Sequence, residues 1–279
     1  MGGGARMSTV TVACAQLELA VGDVRGNRAA AAHALDEAAA AGAQVVVLPE
    51  LATSGYVFED AAEAAALAEP VDGPGVTAWR TAARRHGITV VGGLCERDPA
   101  GRVRNSAVLI DASGALRAVY RKAHLFGTER EFFVPGDELP PVVETAHGRI
   151  GVLVCYDLEF PEWVRRVALA GAELLCAPVN WPLFPRPEGE RPAEVVRVQA
   201  AAAVNRIYIA ACDRAGTERG TRWTGASVVV DPDGFPLAGP HPEPERALLS
   251  AACDPARARD KRLGPHNDVF ADRRPELYG

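Results

Sequence analysis

The sequence predicts an α/β protein with mixed sheets, and three features of the 279-residue chain carry that prediction. Short apolar runs rich in β-branched residues alternate with Ala-rich helical segments, the pattern of helices layered on sheets. Two turns, Asp111-Ala-Ser-Gly114 and Asp231-Pro-Asp-Gly234, join apolar runs as hairpins, so the sheets are not purely parallel. The segment Ala41-Gly-Ala-Gln-Val-Val-Val-Leu-Pro49 is echoed by Ala170-Gly-Ala-Glu-Leu-Leu-Cys-Ala-Pro178. That echo has two readings. Either two halves are built alike, each a sheet backed by helices and able to pack sheet to sheet, or a common helix-to-strand junction occurs twice.

The elements follow in order. TVTVACAQ at 9–16 reads as a strand. Residues 27–41 read as a helix with Asn27 as N-cap and Gly42 as its stop. Residues 44–48, with VVV inside, read as a strand buried on both faces. A helix is expected over 76–86, ended by Gly87, then a strand over 88–94. Strands at 106–110 and 115–122 flank the first hairpin turn. A buried strand is expected over 149–155, and a helix over 161–170 with Pro161 in its first turn. A strand at 174–178, a helix at 194–205 and a strand at 207–212 come next, before the second hairpin, 226–230 with 236–238. Residues 1–8 read as a mobile leader, 9–253 as the body, and 254–279 as a polar tail wrapped on the surface or on a partner.

Composition narrows the function. The chain is 48% hydrophobic and 24% charged, an ordinary globular balance. Its net charge of −6 argues against a backbone-tracking nucleic-acid binder. Six cysteines are scattered without a C-x-x-C pair, which points to reduced thiols rather than a zinc site or a disulfide scaffold. No signal-peptide pattern and no run of 18 apolar residues is present, and Arg6 breaks a myristoylation pattern. A soluble, cytoplasmic protein with no membrane or nucleic-acid partner is expected. His33, His86, His147, His241 and His266 show no metal-ligand spacing, and no G-x-S-x-G, Walker or H-E-x-x-H motif occurs.

Three residues stand where strands end. Glu50 follows VVVLP directly, and ligands of α/β sheets gather at the carboxyl ends of strands; a solvated loop carboxylate is the plainer alternative. Lys122 closes the strand of the first hairpin, where a surface cation would be equally ordinary. Cys155 precedes a helix start; a buried structural thiol is the common fate, but backbone N–H groups at such a turn can bind an oxyanion. Together the three types suffice for acyl transfer. A thiol needs a base to become a nucleophile, a carboxylate can take and return its proton, and an ammonium can neutralise an oxyanion. A Cys155–His124 dyad is a competing arrangement.

Three blocks in order resemble the nitrilase superfamily of carbon–nitrogen hydrolases. Val47-Leu-Pro-Glu50 with Ser54-Gly-Tyr56 is similar to its Glu block. Tyr120-Arg-Lys122-Ala-His-Leu-Phe126 with Phe133-Val-Pro-Gly136 is similar to its Lys block. Gly151-Val-Leu-Val-Cys155-Tyr-Asp-Leu-Glu-Phe-Pro-Glu162 is similar to its Cys block. The resemblance implies a four-layer α-β-β-α sandwich, homo-oligomers built on a dimer, and no metal or organic cofactor. It implies Cys155 as nucleophile, Glu50 as general base and acid, Lys122 as the cation at the oxyanion, and the Tyr156 N–H as second oxyanion donor. A further family carboxylate falls on Glu129, with Glu131 as its rival. Cys155-Tyr-Asp157 and the tail Asp272-Arg-Arg-Pro-Glu-Leu277 resemble the aliphatic amidases, including the aminopentanamidase-like group. The implied activity is hydrolysis of a linear aliphatic carboxamide to acid and ammonia through a thioester. N-carbamoyl amine hydrolysis, nitrile hydrolysis and a catalytically silent scaffold are the alternatives. Tyr56, Phe126, Asn180 and Trp181 are candidate pocket walls, and Glu159 a candidate contact for a cationic tail.

Overall fold

A computed structural model describes residues 9–241 and 243–278, so the leader expected over 1–8 lies outside the described residues. The first half runs β1 (Val10–Gln16), α1 (Val24–Ala40), β2 (Val45–Val47), α2 (Ala61–Leu67), α3 (Pro74–His86), β3 (Thr89–Arg97), β4 (Val103–Ile110) and β5 (Leu116–Arg121). The second runs α4 (Glu129–Phe132), β6 (Val142–Thr145), β7 (Gly148–Val152), α5 (Pro161–Leu169), β8 (Leu174–Pro178), α6 (Ala193–Asn205) and β9 (Tyr208–Cys212). A small ribbon, β10 (Thr217–Glu218) with β11 (Thr221–Arg222), precedes β12 (Val228–Val230), β13 (Pro236–Ala238), β14 (Ala247–Cys253) and α7 (Pro255–Arg259).

Two six-stranded sheets result, ordered β14-β1-β2-β3-β4-β5 and β13-β12-β9-β8-β7-β6. In each, three central strands are parallel, β1-β2-β3 and β7-β8-β9. Each triplet carries an antiparallel hairpin on one flank and a single antiparallel strand on the other. The echoed segments fall on β2 and β8, the middle strand of each triplet, and the two Asp-x-x-Gly turns close the corresponding hairpins β4–β5 and β12–β13. The echo is therefore a structural duplication.

β1 and β2 lie against β8 and β9, which makes the inner layer of a sandwich. Period-2 alternation sorts β1 cleanly: Val12 and Cys14 join the core between the sheets, while Ala13 and Ala15 face Leu35 of α1 and Trp79 of α3. Val164, Val167, Val195 and Val198 bring α5 and α6 onto the other outer face. The sandwich is thus α-β-β-α, and β2 is all Val because both of its faces are buried.

Three expectations are corrected. Helix α1 starts a turn early: Asp23 is its cap, accepting from the Gly26 N–H at 2.9 Å. Asn27 sits inside the helix, where its amide instead donates to the Ala20 carbonyl (2.8 Å) and toward the Thr53 carbonyl (3.3 Å). The strand expected to reach Cys155 stops at Val152, and β5 stops one residue before Lys122. In the tail, Arg257 pairs with Asp231 and Asp233, Arg259 with Glu173, and Phe270 lies under Arg165 and Lys261. Among the described residues no helix is long and apolar enough to cross a membrane.

Candidate active site

The ends of β2, β5 and β7 converge at one edge of the inner layer. Glu50 leaves β2 after Leu48-Pro49, and its N–H reaches across to the Val179 carbonyl, just beyond β8, at 3.4 Å. Gly93 on β3 permits this path, because a Cβ there would stand 2.4 Å from the Glu50 Cα. Lys122 extends β5 by one more bond, its N–H donating to the Asn105 carbonyl on β4 at 2.8 Å. Its ammonium then bridges two carboxylates, Glu50 Oε1 at 2.8 Å and Glu129 Oε1 at 2.7 Å. Lys122, Glu50 and Glu129 are all buried.

Cys155 opens a short 3₁₀ turn, 155–159, with φ at +47°, a conformation that non-glycine residues adopt at a cost. Its Sγ is directed to the Asn180 carbonyl at 3.8 Å. Burial pushes the thiol well above the ordinary cysteine value, the Glu50 charge adds to this, and Lys122 opposes it. The resting sulfur is therefore a thiol that needs a base. Burial likewise raises Glu50 to about 7, against the pull of Lys122 and with the push of Glu129. Glu50 Oε1 is taken by Lys122 and by the Asn105 amide (2.7 Å), while Oε2 is buried without a partner among the described residues. Burial works against the Lys122 charge, but Glu129 and Glu50 outweigh it and hold the ammonium well above the usual lysine value. The cluster therefore presents a fixed cation, a free carboxylate oxygen poised to exchange a proton near neutrality, and a sulfur.

Of the rival acids, Glu129 is buried on Lys122, whereas Glu131 is exposed. The Tyr56 hydroxyl donates to Glu129 Oε1 at 2.5 Å, and the Phe126 N–H to Oε2 at 3.2 Å. Tyr56 and Phe126 also line a cavity of about 430 Å³ with Phe132, Pro182, Phe184 and Trp223. Tyr156 packs its ring against Phe126 and Phe160. Asn180 is buried and donates to the Glu50 carbonyl at 3.0 Å; Trp181 is buried, its N–H held by Asp213 at 2.9 Å. Glu159 stands apart: it is engaged by Arg197 of α6 at 3.1 Å and does not line the cavity. His124 is not directed at the thiol. Its Nδ1 meets Asp157 Oδ1 at 2.7 Å and its ring stacks on Phe160 at 3.7 Å.

Two positioning residues are not among the candidates read from the sequence, although Asp157 lies inside the Cys block. Asn105 aims Glu50, as above. Asp157 accepts from Tyr120 (2.8 Å) and from His124, the residues two before and two after Lys122, and so ties the lysine segment to the cysteine turn. β5 ends at Arg121, so Lys122 and His124 lie beyond the reach of strand alternation and the clamp leaves no periodic trace in sequence. A larger cavity, about 930 Å³, lies by Arg149, Glu173 and Lys261 and shares no residue with this cluster. Among the described residues no group of three or more His, Cys, Asp or Glu side chains is arranged to hold a metal ion.

A family model described as carbon–nitrogen hydrolase matches residues 11–263. A protein named nitrilase from Pyrococcus abyssi is 35% identical over 272 residues, covering 96% of this chain and 99% of that one. A 2-oxoglutaramate amidase from Bacillus subtilis is 30% identical over 270 residues, covering 96% and 99%. Among solved structures, an amidase from Nesterenkonia sp. superposes with a TM-score of 0.80 at 31% identity, covering 98% of this chain and 96% of that one. In a variant of that amidase the acetamide moiety of fluoroacetamide is joined covalently to the active site cysteine.

Proposed function

The chain belongs to the carbon–nitrogen hydrolase family and is an amide-bond hydrolase of it, and we propose that it converts a linear aliphatic carboxamide to carboxylic acid and ammonia through a Cys155 thioester. One observation carries the reading: a buried ammonium bridges two carboxylates beside a buried thiol, and one oxygen of Glu50 is left free.

Chemistry follows from those charges. Glu50 takes the thiol proton as Cys155 Sγ attacks the carbonyl carbon. Charge develops on the carbonyl oxygen, where the Lys122 ammonium and the Tyr156 N–H stabilise it; one such donor is worth about 10²–10³ in rate. As the tetrahedral adduct collapses, the C–N bond breaks and Glu50 passes its proton to the leaving nitrogen, which departs as ammonia. Water then gives a proton to Glu50 and attacks the thioester, and the returning proton restores the thiol as the acid leaves. Glu129 holds Lys122 from the far side, so the cation stays charged throughout.

The acyl chain would occupy the cavity lined by Tyr56, Phe126 and Trp223. The expected homodimer or larger assembly and the cytoplasmic location belong to this proposal, and six free, buried cysteines fit a reducing compartment. Ammonia release from aliphatic amides, ω-amino amides, ω-amido acids, N-carbamoyl amines and nitriles tests the reaction. Amides are expected to turn over, and Cys155→Ala to stop turnover while circular dichroism stays unchanged. Preference for carbamoyl compounds or nitriles would move the substrate class, and full activity in the folded Ala variant would remove the mechanism.

A further inference from the structure

Behind Tyr56 lie two buried charges that the steps above do not use. Arg214, just beyond β9, and Glu218, in β10, form a two-pronged pair with Nη1–Oε2 and Nη2–Oε1 both at 3.0 Å. Both side chains are buried. The same Oε2 accepts the Tyr56 N–H at 2.9 Å and the Val57 N–H at 2.8 Å. Packing adds to this hold. The Arg214 guanidinium lies 4.7 Å over the Trp223 ring, and Trp223 meets the Tyr56 ring edge-on at 5.3 Å. Gly55 lets the loop close in, since a Cβ there would stand 2.6 Å from Glu218 Oε1. One carboxylate thus fixes the backbone of Tyr56, and its partner fixes the ring through Trp223. A buried ion pair contributes little net stability, because desolvation offsets its attraction. Its use here is geometric.

Tyr56 donates to the oxygen of Glu129 that also receives Lys122. We propose that Glu218, held by Arg214, is a positioning residue for the reaction: it places the Tyr56 hydroxyl on Glu129 Oε1 and thereby sets how Lys122 is divided between Glu129 and Glu50. The proposal rests on Glu50, Lys122 and Glu129 surrounding the reacting centre. If the hydroxyl is withdrawn, Glu129 draws harder on the ammonium and Glu50 is left less compensated in its buried place. Facing Glu50 are Lys122, Glu129 and Cys155, with Tyr56 and Arg214 further out. Glu218→Asp keeps every one of those charges while pulling the carboxylate back from the two amides. Any movement of the acid limb in that variant therefore reports position and not net charge.

The experiment measures kcat, KM and the pH profile of kcat/KM for wild type, Glu218→Asp, Tyr56→Phe and the double variant, on the best amide of the panel, with melting curves alongside. Each single change is expected to lower kcat by about tenfold to a hundredfold, the range for a misplaced catalytic group. Each should also move the acid limb to higher pH, and the double variant should be no worse than the worse single one. Separate effects that multiply in the double variant, or a folded Glu218→Asp with a lowered melting point but the wild-type limb, would overturn the proposal. So would a wild-type limb in Tyr56→Phe, whatever the fate of the Glu218 variant. If Glu218→Asp does not fold, Arg214→Lys, which keeps both charges and loses the two-pronged geometry, is read by the same outcomes. Cys155→Ala separates the two levels: turnover there would overturn the reaction itself, whereas wild-type kinetics in Glu218→Asp with an inert Cys155→Ala would overturn only the positioning role.

Discussion

Glu50 is asked to hold a charge where water cannot help it, and that sets both its reactivity and its pH dependence. With its carboxyl raised to about 7, chiefly by burial, it is a base strong enough to draw on a thiol yet acidic enough to return the proton to a leaving amine. An ordinary carboxylate near 4.5 would be the weaker base. The sign follows directly: the base form exists above its pKa, so kcat/KM should fall with unit slope as pH drops through about 7. Glu50→Gln keeps the bond from Lys122 but cannot accept the proton, and should lower kcat by at least about 10²-fold. An acid limb near 4.5 in wild type, or an active Gln variant, would take the base role away from Glu50. The grouping of the three candidates was legible because Glu50, Lys122 and Cys155 each follow a strand. Their helpers were not. Asn105 lies in the polar start of β4, which sequence patterning takes for the approach to a strand, and Glu159 stood as a candidate contact for a cationic tail because its partner Arg197 is 38 residues away.

At the scale of elements, the site depends on how closely β3 passes the turn after β2. At Gly93 an added Cβ would meet Glu50 Cα at 2.4 Å, Leu51 N at 2.5 Å and the Pro49 carbonyl oxygen at 2.6 Å, all backbone, so no side chain can swing away. Gly93→Ala should therefore displace the Glu50 turn and cost about 10²-fold in kcat. Overpacking of this kind also destabilises by about 1–3 kcal/mol. A crystal structure of the variant with Glu50 unmoved, or unchanged kcat, would show that this approach does not position the base. Elements with strong local signals were read correctly: β2 and β8 as apolar runs, both Asp-x-x-Gly hairpins, and α3 with its Gly87 stop. The unread ones are short or nonlocal. α2 buries only Ala64, too little for a helical stripe. β14 pairs with β1 across most of the chain, Val10 opposite Cys253, a partnership that no local pattern records.

For the whole molecule, a buried base is a stability cost. The folded pKa of Glu50 lies above the unfolded value, so folding favours its protonated form. Its contribution is fully stabilising below about 4.5 and is lost as pH rises through about 7. Asp213, fully buried and raised to about 7 by burial despite three backbone N–H donors, acts in the same direction. His147, lowered by burial, acts oppositely: its contribution is present above the unfolded value and is lost as pH falls. Surface carboxylates such as Asp111, held down to about 2, change protonation only below this window. Because these groups overlap, the melting curve of wild type alone cannot isolate Glu50, but a difference can. Glu50→Gln removes one titration and leaves the rest, so its melting point relative to wild type should be near its smallest at pH 4.5, climb between pH 4.5 and 7, and level off above pH 8. The climb should be on the order of several degrees for a domain of this size. A flat or falling difference would mean that the folded protein does not pay for the Glu50 charge, and then the elevated base on which the proposed reaction depends would not exist.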